Sequence, residues 1–562
     1  MTTSCEFVFS FGDVTAARDA CMEATVNQSW AHIDDVNAQA GAACLDVATL
    51  EPDFGWPLEG DKIWLPEQPQ LHPWGWWSTE LSGPDGHFFS APVLTVTFAD
   101  ESGTPTPHSS AGLTLTFFAT LPGAVDIAWY GREGELLQSG RFVPDNFTCF
   151  CACQVENYYK VVVSVPEMST PYRYLRVTGV FFGEQRVMGD SMVPFAKLTE
   201  EVDPVALSAP VSTLEVGYYT PNEEFALLDP AGAHALFQWR PRVAPVKTVN
   251  GVRTPLGLYY LRRAKGTESA VTTLSCTCAL GVLDAMEFLG GIYEAVPVTQ
   301  VLAELFTDTD IAFELDATLS SQTLTGYLPI GSRRAALAQI AFAIGAVVDA
   351  TRSGAVRLYP LPNASSVSIT PARKVIGHRV ELDELVTEVS VTAHNWVLEG
   401  SVQELARADY DIGVHTVRFD SPASATKITG AAFEAVHPNY CTFRVSAAGR
   451  VIVSGYRYKD NASVFTACIT PLPAGESPAT KTVENATLVG PQGAQAAAQR
   501  LLDYFQGRYR SEGRLLPGGE VVAQKVALSS MGSKSLVGHI ERMVTDLHGG
   551  CLETIKMRGR PQ

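Results

Sequence analysis

The stretch that most constrains the fold runs from Leu324 to Pro360 and reads LTGYLPIGSRRAALAQIAFAIGAVVDATRSGAVRLYP. Ser332 stands where a helix N-cap is expected, because its hydroxyl can accept a hydrogen bond from a free backbone N–H. Gly345 stands where a left-handed C-cap is expected. The segments 346–350 and 355–359 then predict a β-hairpin. Between the two caps, one helix face is indicated by apolar residues at the i, i+3, i+4, i+7 spacing: Leu337, Ile340, Ala341 and Ile344.

The composition indicates several packed domains. A chain of 562 residues is too long for a single core, and 46% apolar with 18% charged residues is typical of globular proteins. The 60 acidic and 41 basic residues give a formal charge of −19, which argues against a sequence-specific nucleic-acid binder. The N-terminus has no basic region before its short apolar run, and the apolar run 335–348 is too short to span a bilayer. We therefore expect a protein made in the cytoplasm, without a secretory signal or membrane span.

The cysteines predict buried free thiols. Cys149, Cys151 and Cys153 alternate, as do Cys276 and Cys278, so each set lies on one side of a predicted strand. A metal site would require C-x-x-C spacing with a second pair or histidines, and this spacing does not occur. A metal site and disulfides remain the alternatives, and we predict neither a metal nor a cofactor.

The sequence carries no recognised catalytic motif. G-x-G-x-x-G, G-x-x-x-x-G-K-[ST], H-E-x-x-H and G-x-S-x-G are all absent. Pairs of carboxylates do occur, such as Asp308 with Asp310, but acidic loops are common in a chain of this charge. A hydrolase needs two carboxylates at a fixed separation in space, which spacing along the chain cannot establish. We expect a protein that is not an enzyme.

Residues 1–86 predict an irregular arm, because turn-forming residues are frequent there. The segment Glu51–Ser78 places tryptophans among prolines and glycines. One interpretation is an arm fixed to a neighbouring domain or subunit by buried tryptophans, and the other is a platform for stacking sugars. The tryptophans concerned are Trp56, Trp64, Trp74, Trp76 and Trp77.

The remaining chain is mainly β, with α+β parts. Residues 87–185 predict an antiparallel β-sandwich, and alternation also marks 186–266 and 366–480 as β regions. Region 267–365 is mixed, and 481–562 begins with a helix and continues as strands. The predicted β-sandwich strands are 92–98, 113–118, 126–130, 159–165 and 172–180, and the predicted helices outside the opening stretch are 280–289, 298–306 and 492–509.

Several segments resemble the tail-hub (baseplate hub, or minor tail) proteins of phages and prophages from Gram-positive gut bacteria. They are the opening stretch, STLEVGYYTPNEEFALLDPAG followed by LGLYYL, and the C-terminal run from PGGE to KMRG. Ser332 and Ala341 depart from the family, in which cysteine is frequent at both positions. The C-terminal run matches a closing signature at Gly518, Gly519, Glu520, Gly538, Ile540, Glu541, Met543, Gly549 and Gly550.

This resemblance implies a structural virion component at the tail tip, synthesised and assembled in the bacterial host cytoplasm. Residues 186–266 and 366–480 would each form a small hub-type β-barrel, so that a homotrimer presents six barrels to a six-fold tube and a three-fold face to the tip. Three copies would carry three times −19, or −57. If part of that charge lined a central channel, it would repel DNA phosphates. The implied partners are tail tube and distal tail proteins above, tip or fibre proteins below, and a tape measure protein.

The resemblance also implies that 87–185 is a galactose-binding-like module, which makes a glycan-binding tail adhesin the alternative function. A host surface glycan would then be a further partner. An adhesin needs exposed aromatic side chains on the sandwich, whereas a scaffold would bury them, and Trp129 could equally be a core residue. The candidate glycan contacts are Trp129, Tyr130, Tyr158 and His108.

Overall fold

The computed structural model describes residues 2–12, 14–25, 33, 36–37, 51–52, 75–100, 102–219, 241–266, 271–364, 367–529 and 534–562. The chain divides into two compact units. The first comprises Met1–Phe195 with Val216–Cys276, and the second comprises Ala196–Glu215 with Thr277–Gln562. Strands predominate and helices are few, which confirms the prediction of a mainly β, multidomain fold.

The elements up to residue 189 belong to the first unit. They are β1 (Thr3–Gly12), α1 (Val14–Asp19), β2 (Ala20–Ala24), β3 (Trp76–Trp77), β4 (Val93–Phe98), β5 (His108–Phe117), β6 (Pro122–Tyr130), β7 (Leu136–Phe142), β8 (Thr148–Tyr158), β9 (Lys160–Met168), β10 (Arg176–Phe181) and β11 (Gly183–Gly189).

The middle of the chain follows. Its strands are β12 (Phe195–Glu201), β13 (Thr213–Tyr219), β14 (Arg242–Val249), β15 (Val252–Pro255), β16 (Tyr259–Gly266), β17 (Val271–Thr277), β18 (Glu287–Phe288), β19 (Gly291–Pro297), β20 (Ala312–Leu315), β21 (Thr323–Leu328), β22 (Gly331–Ser332), β23 (Ala346–Asp349) and β24 (Ala355–Pro360). Its helices are α2 (Ala279–Asp284), α3 (Val298–Phe306) and α4 (Arg333–Ile344).

The C-terminal part is again mostly strands around one helix, α5 (Pro491–Phe505). The strands are β25 (Val367–Ile369), β26 (Arg379–Leu382), β27 (Glu388–Ala393), β28 (Trp396–Leu398), β29 (Gln403–Tyr410), β30 (Gly413–Arg418), β31 (Ala423–Thr429), β32 (Ala432–His437), β33 (Tyr440–Val445), β34 (Gly449–Asp460), β35 (Ser463–Cys468), β36 (Thr480–Val483), β37 (Tyr509–Leu515), β38 (Lys525–Ser529), β39 (Ser535–Asp546) and β40 (Leu552–Pro561).

A β-sandwich occupies much of the first unit. One sheet has the order β2-β4-β9-β6-β7 and the other has the order β3-β10-β5-β8. Inward-facing residues of both sheets share one apolar core, with Leu94, Ile127 and Val163 from the first sheet and Leu115 and Val177 from the second. The alternation of apolar and polar residues along these strands therefore indicated the sandwich correctly.

Strand β1 shows that the N-terminus was wrongly predicted to be wholly irregular. It lies between β11 and β14 and is antiparallel to both. Phe7, Phe9 and Phe11 are buried on one face, as the two-residue period of a strand requires. Trp76 and Trp77 are fully buried, which supports the interpretation that these two side chains are packing residues and not a platform for sugars. Trp56, Trp64 and Trp74 lie outside the described residues.

The opening stretch has the structure that its sequence predicts. The Ser332 hydroxyl accepts a hydrogen bond from the Ala335 N–H, and Gly345 ends α4 in the left-handed region at φ +73°. Leu337 and Ile340 on the predicted face are fully buried. The hairpin forms as β23 and β24, with Val347 opposite Tyr359, and β20 adds to β24 in parallel.

The other predicted helices differ mainly at their ends. Helix α3 has the predicted bounds. Helix α2 ends at Asp284, before the predicted Leu289, because Glu287 and Phe288 pair with β22 instead. Helix α5 ends at Phe505, and Tyr509 already begins β37. The predicted apolar face of α5 is buried, from Ala494 through Leu501 to Phe505.

The second unit is completed by several sheets. Sheet β35-β27-β36 packs beside α5. A separate core around Phe443 and Val453 is enclosed by two further sheets, one in which β34 pairs with β28, β29 and β31, and one with the order β30-β33-β32. Another sheet runs β12-β39-β40-β37-β26, with β38 beside β39 and β25 beside β38. Its core includes Ile540 and Met543 of the predicted closing signature.

Candidate functional site

The predicted glycan contacts do not form an exposed surface. Trp129 and Tyr158 are fully buried and His108 is 5% exposed. His108 Nε2 lies 3.3 Å from Asp19 Oδ2, and the centroid of its ring is 4.9 Å from that of Phe98. These three side chains are in the sandwich interior, so their predicted exposure is wrong.

The reason lies in strand geometry. Successive residues of a strand face opposite sides, and β6 directs Trp129 into the core and Tyr130 outward. Tyr130 is partly exposed, and the Lys160 ammonium lies 4.6 Å from the centroid of its ring. His108 and Tyr158 are register partners on β5 and β8. Trp129 is thus the core tryptophan of the sandwich, and glycan binding elsewhere on this module stays a prediction.

The four alternating cysteines with buried side chains are free thiols. Cys149 and Cys151 lie on the inner side of β8, and Cys276 and Cys278 are also buried. Burial raises the pKa of the Cys276 thiol to about 12, so this side chain stays a neutral, hydrophobic core group. Among the residues that can be described, no group of three or more His, Cys, Asp or Glu could hold a metal ion.

The residues of the closing signature have structural roles in the second unit. The Glu520 carboxylate is buried and forms an ion pair with Arg373. Glu541 accepts a hydrogen bond from the Tyr504 hydroxyl at 2.6 Å and pairs with Arg558 at 3.2 Å. Gly538 is needed for close approach, because a Cβ at this position would lie 1.9 Å from the Arg558 carbonyl oxygen. Gly538 and the Glu541–Arg558 pair therefore maintain the packing of β39 against β40.

The most distinctive surface feature of the second unit is the edge strand β26. Among described strands it pairs with β37 alone, and all four of its residues are exposed. Val380 and Leu382 lie on one face, 57% and 56% exposed. On the other face Arg379 binds Glu512 at 2.7 Å. An exposed edge with an apolar face is a template for pairing with another strand.

Further exposed apolar residues occur in the same part of the chain. Single exposed hydrophobic residues are normal, whereas a contiguous patch of them marks an interaction surface. Between positions 376 and 464 the exposed apolar residues are Ile376, Val380, Leu382, Val397, Leu398, Val402, Ile412, Val414, Val436 and Val464. No motif in the sequence marks these residues as a group, although charged and apolar side chains alternate in Arg379–Leu382.

No protein-family model and no curated protein matches the chain. Solved structures do match it, and three of them are tail proteins. The 43 kDa tail protein of prophage MuSo2 from Shewanella oneidensis has a TM-score of 0.37 and 10% identity, over 66% of this chain and 95% of its own.

The other two tail proteins match over similar shares of both chains. The tail protein from Neisseria meningitidis MC58 has a TM-score of 0.39 and 11% identity, over 66% of this chain and 93% of its own. Prophage tail protein gp18 from Listeria monocytogenes EGD-e has a TM-score of 0.38 and 10% identity, over 67% of this chain and 91% of its own.

None of the helices in the described ranges is both long and apolar enough to cross a bilayer.

Proposed function

We propose that this chain is a structural component of a phage tail or phage-tail-like particle, a homotrimeric hub at the distal tip. The exposed apolar strand β26 carries the proposal, because it offers backbone groups and an apolar face to a second copy of the chain. The sequence resemblance of the opening stretch and of the closing signature to tail-hub proteins supports it. The role is one of assembly and not of catalysis.

The charge pattern of β26 favours a protein partner. Its charged side chains are already engaged within the same chain, since Arg379 binds Glu512 and lies 3.6 Å from Glu381. Its apolar side chains, Val380 and Leu382, are each more than half exposed to water. Strand addition would satisfy the edge N–H and C=O groups and bury these two side chains. Obligate assemblies bury large, apolar interfaces of this kind.

In this proposal the trimer adapts a six-fold tube to a three-fold tip and encloses the central channel. Tube and distal tail proteins would contact one side, and tip or fibre proteins the other, with a tape measure protein as a further partner. The adhesin alternative gains no support from the four aromatic residues chosen for it, since three are core residues.

The Val380→Lys/Leu382→Lys variant tests the role of β26. Both side chains are exposed, so we expect the free energy of unfolding to change by less than about 1 kcal/mol. Two lysines at an edge oppose strand pairing, so the mass by light scattering should fall from three times 60.5 kDa to 60.5 kDa.

The matched control is Val143→Lys/Val252→Lys, which adds the same charge at two exposed valines of the first unit. This control should keep the mass of the parent. A trimer that survives the β26 substitutions unchanged would contradict the assignment of this edge as the interface.

A further inference from the structure

A cavity of about 910 Å³ lies in the second unit, apart from strand β26. Its walls are formed by α5, by the start of β38, by the start of β39 and the end of β40, and by the segment after β24. The opening stretch also reaches it, through Gly345. All of these elements belong to the same unit.

Basic side chains predominate around the cavity, although the chain as a whole is acidic. Arg500, Lys525, Arg558 and Arg560 line it, whereas Asp503 is the only Asp or Glu side chain among its described lining residues. The whole chain carries −19. Such a concentration of positive charge produces a local potential that attracts anions.

Three of these cations have only neutral acceptors. Arg500 Nη2 donates to the Phe342 carbonyl at 2.6 Å, Lys525 Nζ donates to the Asn363 carbonyl at 2.8 Å, and Arg560 Nη2 donates to the Asp503 carbonyl at 2.7 Å. Within the part of the chain that the structure describes, none of the three forms an ion pair.

Arg558, the fourth basic residue of the cavity, differs from the other three because it forms ion pairs. Arg558 lies 2.9 Å from Asp383 and 3.2 Å from Glu541, so its charge is compensated within the fold. It holds the cavity wall in place and is not available to a ligand.

Arg500 is held in a position that suits an anion. A Cβ at Gly345 would lie 2.7 Å from its Nη1, so the glycine that ends α4 also leaves room for the guanidinium. Burial lowers the pKa of Arg500 below its usual value, because its charge is partly removed from water. A partly desolvated guanidinium without a carboxylate gains free energy when an anion enters.

We propose that this cavity binds a carboxylate-bearing segment of an acidic polypeptide through Arg500, Lys525 and Arg560. The volume exceeds what one inorganic anion needs, since a water occupies about 30 Å³. Apolar lining residues such as Val205, Leu361 and Val537 can contact the aliphatic parts of a peptide. Arginine guanidinium groups bind carboxylates in a bidentate manner. This inference does not depend on assembly through β26.

The test uses the whole chain and a fluorescein-labelled peptide of about eight glutamates, followed by fluorescence anisotropy. The glutamate peptide should bind, and a glutamine peptide of the same length should not. Raising the salt from about 50 mM to about 300 mM should weaken binding, because exposed charges are screened. In the Lys525→Gln/Arg560→Gln variant, affinity should fall by about tenfold or more, because hydrogen bonds to charged groups are lost.

The control variant is Arg132→Gln/Lys427→Gln, which removes two exposed cations elsewhere and should leave the affinity unchanged. The proposal is overturned if the glutamine peptide binds equally well, or if binding survives the Lys525→Gln/Arg560→Gln substitutions. It is also overturned if inorganic phosphate binds to the cavity while the glutamate peptide does not.

Discussion

Replacing Trp129 by alanine is expected to lower the free energy of unfolding of the β-sandwich by about 3–5 kcal/mol. The indole is fully buried in the core between the two sheets, so its removal leaves a cavity that neighbouring side chains fill only in part. The measurement is urea denaturation of the whole chain, followed by hydrogen exchange of peptides from β6 and β9.

Two further substitutions make this test specific. Trp129→Phe should cost less than Trp129→Ala, since it keeps an aromatic ring and removes an indole N–H that has no hydrogen-bond acceptor among the described residues. Tyr130→Ala, on the outward face, should cost less than either. An alanine variant of Trp129 that kept full stability and lost glycan binding would instead restore the ligand role.

Replacing Arg352 by methionine is expected to destabilise the second unit by about 3–5 kcal/mol, because it leaves a buried carboxylate without its counter-ion. Glu200 is fully buried, and Arg352 binds it through Nε at 2.5 Å and Nη2 at 2.6 Å. Glu200→Gln combined with Arg352→Met should recover much of the loss, since the buried group is then neutral. Hydrogen exchange of peptides from β12 and β39 in urea reports the change.

An exposed ion pair of the same geometry provides the control. Arg450 binds Asp409 through two 2.7 Å contacts, but both side chains are more than half exposed. Arg450→Met should therefore cost no more than about 1 kcal/mol. If the two arginine substitutions had equal effects, burial of the Glu200–Arg352 pair would not be the source of its contribution.

Local signals explain why the opening stretch could be predicted from its sequence. A capping hydroxyl, a helical period and a left-handed glycine all act within one segment, so Ser332, Ile340 and Gly345 determine α4 with little help from the rest of the chain. The period-two pattern was equally informative in β1, where Phe7 and Phe9 alternate with polar or smaller residues. It was missed because the turn-rich composition further along the arm was extended to the N-terminus.

Other features depend on residues that are far apart in the chain. Trp129 and Tyr130 are adjacent aromatic residues, so the alternation along a strand places them on opposite faces of the sheet. The sequence does not show which of the two faces packs against the second sheet. The alternation in β26 indicates its two faces, but its position at a sheet edge depends on which distant strands pair with it, and among the described strands only β37 does. The cavity likewise brings together residues from position 204 to position 562, and only the fold of the second unit makes them neighbours.

The solution mass of the purified chain, measured by light scattering at two concentrations and two salt levels, decides whether the chain forms a trimer. We expect a species of three times 60.5 kDa that persists at high salt, because an apolar interface is little affected by screening. A species of 60.5 kDa under every condition would contradict a trimer that forms through its own exposed apolar surface.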